Sequence, residues 1–538
     1  MLLRVDPSML RRDQFLQGLL AARLAAGNRT LAAAPPTPRR RICVQYDAAD
    51  HRDVRLPPVE WLKYLFTYAD QPGSQIGSIF WDVSLGDTYA VYPSRLLPPS
   101  PDKHLVKWRE QGFDWVPAML AECRRREIET FWHHRFSEVD IRPEGGLEME
   151  KLSPLKAKHP DWLIRSWWWQ GLWNAASPEL RRHKVDVLRE VAEALDIDGI
   201  QIDFARHIPC LPPGRQWELR EHVTEFLRMM RRMLTAVGRG RGRLLQLAAK
   251  VPETLRGCRE DGFDLAVWGS EGLVDRLTLG SRTMTVDVED VRRVVGPRIK
   301  LSPCLDDHHA TDGYRSPPIE FFRGVATNWL EQGADSVTTF NWAAAPAPVA
   351  QPVGGRVAPE SQGLAYREIG ELATMRGRNK LFFVERRGGY PWAEGYHGRN
   401  DHLPLPARLA NHGRQSVFPL RVYEPHIPRA ILSIVLFQAR PADRLEIQLN
   451  GAPLTQAAGQ PWQDPQIFSP KPQPNSGGAG VYPQDPNQKL LRIQCPVEPR
   501  LLRRGENTVA VRVLDRPSYR IGEDIQVEKI ELAVSYPG

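Results

Sequence analysis

Short runs of β-branched and aromatic residues recur along the first 340 positions, with helical periodicity between them. They read Ile42–Asp47, Ile76–Asp82, Glu127–Trp132, Asp198–Phe204, Leu244–Val251, Val274–Leu279, Ile299–Leu305 and Asp335–Phe340. Between the fourth and fifth runs, Leu219, Val223, Phe226, Met230 and Met233 repeat at steps of three and four, ending at Gly238 as an expected C-cap. Before the fourth run, Ser177-Pro178 gives a cap followed by proline at the first helical position, and Val185, Leu188, Ala192 and Leu195 follow. Gly333 closes the helix before the eighth run. Parallel strands need crossover connections, so eight strands alternating with helices predict a (β/α)8 barrel over residues 42–378, with a last helix at about 363–378. A doubly wound open sheet would carry a glycine-rich turn after its first strand, whereas this one runs into Tyr46-Asp47-Ala48-Ala49-Asp50.

The pattern changes after Trp342. From Leu381 onward short alternating runs are separated by turn residues, and Asn450-Gly451 is a hairpin signal. Residues 379–538 therefore read as an all-β sandwich accessory domain, with a long loop over the Pro-, Gly- and Gln-rich stretch 456–490.

Composition narrows the partners. The 538 residues carry a net charge of +8, but residues 1–41 hold eight arginines against two aspartates, so +6 of it sits in that leader. The remainder is close to neutral, which argues against a nucleic-acid partner. No run is long and apolar enough to predict a membrane span. In the leader, Arg11-Arg12-Asp13-Gln14-Phe15-Leu16 precedes an apolar stretch and Ala32-Ala33-Ala34, which resembles a twin-arginine export signal. Export to the periplasm or medium is the expectation, and a disordered basic tail on a cytoplasmic protein is the alternative. The six cysteines show no paired or zinc-finger spacing, and Cys43 and Cys304 read as small buried hydrophobes.

Chemistry in a parallel barrel gathers at the C-terminal ends of its strands. Those positions supply Tyr46 and Asp47, Asp82, His134 and Arg135, Asp203 with Arg206 and His207, Glu253, Asp306 and Asp307, and Trp342. Several carboxylates in one cleft suit glycoside hydrolysis, in which one acid protonates the leaving oxygen and a second carboxylate acts as nucleophile or base. Fourteen of the sixteen tryptophans precede residue 343, where flat apolar rings would serve a sugar. Adjacent strand residues point to opposite sides, so the Asp306-Asp307-His308-His309 run does not make a metal cluster, and neither metal nor cofactor is expected.

The stretch Asp198-Gly199-Ile200-Gln201-Ile202-Asp203-Phe204-Ala205-Arg206-His207 resembles the fourth-strand segment of the alpha-amylase clan. It is still more similar to the bacterial glycosidases called glycosyl-hydrolase-like, as are His134-Arg135-x-x-Glu138-x-Asp140, Gly262-Phe263-Asp264 through Asp275, and Gly333-Ala334-Asp335 through Trp342. The resemblance implies a TIM-barrel glycosidase with Asp203 as nucleophile. It implies Glu253 as acid/base by its place after the fifth strand, with Asp306 and Asp307 as competitors. Tyr46, Asp47, Asp82, His134, Arg135, Arg206, His207, Asp306 and Trp342 are then the substrate-binding set. The expected substrate is a poly- or oligosaccharide; the competing expectation is a carbohydrate-binding barrel without catalysis. Oligomeric state is not legible here.

Overall fold

A computed structural model describes the chain from Arg41 onward, except residues 47–55, 83–88, 101, 138–152, 167–170, 281–282, 307–313, 315–316, 341, 343, 347–359, 387–402, 411–412, 465–488, 518, 520–521 and 538. The leader, Asp47, Asp307 and most of the long Pro/Gly-rich loop therefore lie outside the described residues.

Eight parallel strands close on themselves: β1 (Ile42–Tyr46), β2 (Ile76–Asp82), β3 (Glu129–Arg135), β4 (Gly199–Asp203), β5 (Gln246–Val251), β6 (Arg276–Leu279), β7 (Lys300–Asp306) and β8 (Val337–Phe340). Each pairs with its sequence neighbours, and β8 returns to β1 with Val337 opposite Ile42. The strands sit within one or two residues of the hydrophobic runs at most ends. The helix Pro178–Ala194 starts at its proline as expected. The helix Glu221–Gly240 runs through Gly238 instead of ending there. Gly238 is glycine for another reason: the returning chain packs on it, and a Cβ would stand 2.5 Å from the Arg243 carbonyl oxygen. Gly333, at φ +94°, does end the helix Ile319–Glu331. The single closing helix becomes two short ones, Glu360–Ala365 and Leu372–Met375.

Inward-facing side chains stack in layers. At the N-terminal floor, Glu129 on β3 accepts from Ser78 Oγ (2.7 Å), Arg276 Nη2 (2.6 Å) and Gln246 Nε2 (3.4 Å). Arg276 Nε donates in turn to Gln246 Oε1 at 2.9 Å. Above the floor lies an apolar layer of Cys43, Phe80, Phe131 and Ala248, in which the two phenyl rings stack at 4.5 Å. Gly199 makes room for it, since a Cβ there would stand 2.5 Å from both the Phe131 ring and the Gln246 carbonyl oxygen. The polar groups described below sit on the mouth side of this layer.

The C-terminal part holds two antiparallel sheets over one apolar core, as its alternating pattern implies. With β9 (Lys380–Val384), β10 (Ser416–Val422), β11 (Arg429–Phe437), β12 (Arg444–Leu449), β13 (Leu490–Val497), β14 (Gly505–Asp515) and β15 (Gln526–Ser535), one sheet runs β9-β15-β11-β13 and the other β10-β14-β12. Asn450 and Gly451, both at positive φ, make the expected turn after β12. β13 is a strand the sequence pattern left unassigned. The sheets pack closely on the barrel: a Cβ at Gly324, in the helix Ile319–Glu331, would stand 2.0 Å from the Leu381 carbonyl oxygen, and Phe321 stacks on Phe383 at 4.6 Å.

Candidate active site at the barrel mouth

Strand alternation decides which predicted residues meet. On β3, His133 and Arg135 share the inward face. Arg135 Nη2 lies 2.6 Å from Asp82 Oδ2 at the end of β2. His133 Nε2 lies 3.6 Å from that same oxygen and 3.4 Å from Asp203 Oδ2 at the end of β4. Both oxygens approach one imidazole nitrogen, so they stand no more than about 7 Å apart.

Asp203 is fully buried and held at both ends. Its Oδ1 accepts the backbone N–H groups of Ala205 (2.8 Å) and Arg206 (2.9 Å), while Lys250 Nζ on β5 stands 3.7 Å from Oδ2. Burial pushes the carboxyl up, but the Lys250 charge, the hydrogen bond and charge of His133 and the charge of Arg135 outweigh it. They hold Asp203 well below the usual carboxylate range.

Below these carboxylates a string of polar side chains crosses the barrel. Lys250 Nζ donates to Gln45 Oε1 (3.1 Å), and Gln45 Nε2 lies 3.1 Å from His133 Nε2. His133 Nδ1 donates to Gln201 Oε1 (2.7 Å), whose amide donates to Thr278 Oγ1 (2.8 Å). Lys250 also lies over the Phe340 ring at 4.1 Å, so its buried ammonium is compensated from three sides. None of His133, Lys250, Gln45 and Gln201 was in the sequence-derived set.

Glu253, just beyond β5, is buried under the chain that follows β6. Its Oε1 accepts from Thr283 N at 3.2 Å. Asp306 ends β7 opposite Phe340 and is also buried. Cys304, two residues earlier, has a thiol that burial pushes up to about 12, and the charges of Lys250, Asp306, Asp203 and Glu253 all act on it.

Three expected substrate-binding residues fall elsewhere, Tyr46 and His134 by strand parity and Trp342 because it lies beyond the end of β8. Tyr46 turns to the helix side, stacking near Trp81 (5.3 Å) and donating its hydroxyl to the Leu65 carbonyl at 3.0 Å. His134 faces the helix Pro178–Ala194, with Nε2 at 3.4 Å from Lys184 Nζ. Trp342 is buried between Phe322 and Tyr366, at 4.8 and 5.3 Å. Arg206 meets Asp203 through its backbone N–H. His207 is buried, with Nδ1 donating to the Ser137 carbonyl at 2.9 Å. Among the described residues, no group of three or more His, Cys, Asp and Glu side chains could hold a metal ion. No helix among them is long and apolar enough to cross a membrane.

Residues 69–211, the segment from before β2 to just past β4, match the family model described as glycosyl hydrolase-like 10. Among solved structures, the chain is similar to alpha-L-fucosidase isoenzyme 2 from Paenibacillus thiaminolyticus, at 14% identity over 61% of this chain and 48% of that one, with a TM-score of 0.39. The PgaB (BpsB) glycoside hydrolase domain from Bordetella bronchiseptica is similar at 14% identity over 62% of this chain and 99% of its own, with a TM-score of 0.39. A maltogenic alpha-amylase, AmyB from Thermotoga neapolitana, is similar at 11% identity over 88% and 99%, with a TM-score of 0.36. No curated protein sequence matches the chain.

Proposed function

We propose that the protein is a glycoside hydrolase acting on a poly- or oligosaccharide through carboxylates at the C-terminal mouth of its barrel. The observation that carries this reading is the pair Asp82 and Asp203 around His133, with Asp203 held ionised. The family match over residues 69–211 includes both aspartates and supports it. Asp203 is the nucleophile: an anion at the mouth, aimed by two backbone N–H groups, is in the state that attack on an anomeric carbon requires. Asp82, ion-paired to Arg135, is suited to gripping sugar hydroxyls rather than to delivering a proton. That task falls to Glu253, with Asp306 and Asp307 as competitors. Thr283 N holds Oε1 of Glu253 at 3.2 Å. Residues 42–378 form the catalytic part, 379–538 brace it, and the arginine-rich leader directs export.

The second reading, a carbohydrate-binding barrel without turnover, draws on one observation: both aspartates of the pair are matched by cations, as structural carboxylates are. One experiment separates the two. The protein and its Asp203→Asn variant are screened for new reducing ends on a polysaccharide panel, with glycan binding measured beside it. Hydrolysis by the parent, lost in a variant that still binds, supports catalysis; a variant that hydrolyses as well as the parent moves the chemistry away from Asp203.

A further inference from the structure

The geometry points to Glu385, which follows β9 and belongs to the β region rather than the barrel, as a positioning residue for Glu253. The inference rests on reading Glu253 as the proton donor. The connection runs through the segment Thr283–Asp287 after β6. At one end of this segment, Thr283 N donates to Glu253 Oε1 (3.2 Å); at the other, Asp287 N donates to the Glu253 main-chain oxygen (3.2 Å). Gly280, at φ +80°, lies directly on the Glu253 side chain, where a Cβ would come within 2.2 Å of its Cγ. The segment therefore fixes both the backbone and the carboxylate of Glu253.

What fixes the segment comes largely from outside the barrel. Glu385 places one carboxylate oxygen on Met284 N (2.6 Å) and the other on Thr285 N (2.9 Å). Two consecutive amides taken by one buried carboxylate make a charge-assisted clamp with little freedom to rotate. Arg421 on β10 adds a second hold, donating to the Val286 carbonyl (3.2 Å) and pairing with Asp287 Oδ1 (2.8 Å). From the barrel's own helix, Trp329 Nε1 donates to the Met284 carbonyl at 3.0 Å. Glutamate is required at 385 because both amides need an acceptor oxygen, and glutamine offers only one.

The test compares kcat/KM for two glycosides of one sugar, one leaving as 2,4-dinitrophenolate and the other as a second sugar. The first departs without a proton and the second needs one, so their ratio reports proton delivery. Glu385→Ala is expected to raise that ratio about tenfold, and Glu253→Gln by more, toward the 100-fold or greater loss typical of a removed acid. Glu385→Gln, which keeps one acceptor and the packing, should fall between the parent and Glu385→Ala. Equal loss on both substrates would make Glu385 structural and overturn the proposal. An unchanged ratio in Glu253→Gln would instead overturn the reading of Glu253. Hydrogen exchange tests the clamp apart from any substrate: the Met284 and Thr285 amides of Glu385→Gln should exchange about tenfold faster than in the parent. Unaltered protection would remove the mechanism proposed here.

Discussion

Two charged clusters occupy the same barrel, one at the floor and one at the mouth, and they differ in how completely they are satisfied. At the floor, Glu129 has one cation, Arg276, and its oxygens take Ser78, Arg276 and Gln246, while Arg276 fills its remaining reach with Gln246 and Ser78. At the mouth, Asp203 Oδ1 is doubly bonded to backbone, whereas Oδ2 is met only by the longer approaches of His133 (3.4 Å) and Lys250 (3.7 Å). A buried acceptor left short of donors costs free energy that a purely structural carboxylate would not incur. Charge inside a barrel therefore does not mark a site; an ionised oxygen held in place but left incompletely bonded does.

That contrast can be broken by substitution. The largest effect is expected from Asp203→Asn, which keeps an oxygen for the Ala205 and Arg206 amides but deletes the charge. Hydrolysis should fall by at least about 10³-fold while glycan binding persists, measured by initial rates and by titration calorimetry. Next is Lys250→Met, which leaves Asp203 buried without its nearest ammonium. Breaking such a pair costs about 3–5 kcal/mol, read from denaturant unfolding. It also changes the pH dependence. With its folded pKa below the unfolded value, Asp203 adds stability that is complete above the unfolded value and is lost as pH falls through the folded one. Removing Lys250 raises the folded pKa, so in the variant both this loss and the acidic limb of kcat/KM move to higher pH. The smallest effect belongs to the floor. Arg276→Met should cost about 1–3 kcal/mol of stability and leave kcat/KM within about twofold of the parent, because its partners are below the apolar layer. A floor variant with impaired turnover at full stability would erase the distinction.

The strands were legible because β-branched runs between helical stretches have few other folds available. Side-chain parity was not, because parallel barrel strands are buried on both faces and show no apolar alternation. Tyr46, His134 and Trp342 were assigned by nearness to strand ends and turned out to face helices. A usable signal was present. Polar residues at spacing two in otherwise apolar strands, His133-x-Arg135, Gln201-x-Asp203 and Ser302-x-Cys304-x-Asp306, all point inward, since only the mouth offers them partners. Lys250 follows the same parity beside Ala248. The Glu385 clamp lay beyond such reading, because it joins amides about a hundred residues away through backbone groups that carry no sequence signature.

The stacked Phe80 and Phe131 rings form a septum between the charged floor and the polar groups of the mouth. From Phe131 to Arg135 the strand rises about 10 Å along the barrel axis, and the polar string of Lys250, Gln45, His133 and Gln201 fills that interval, so an occupant of the mouth stops above the string. On the proposed reading of the mouth, a longer glycan would gain contacts only outward, among the loops, and its innermost ring would be the one presented to Asp203. Gly199 lets the phenyl layer close: a side chain there would displace the Phe131 ring, so the support beneath the polar string depends on a missing methyl group.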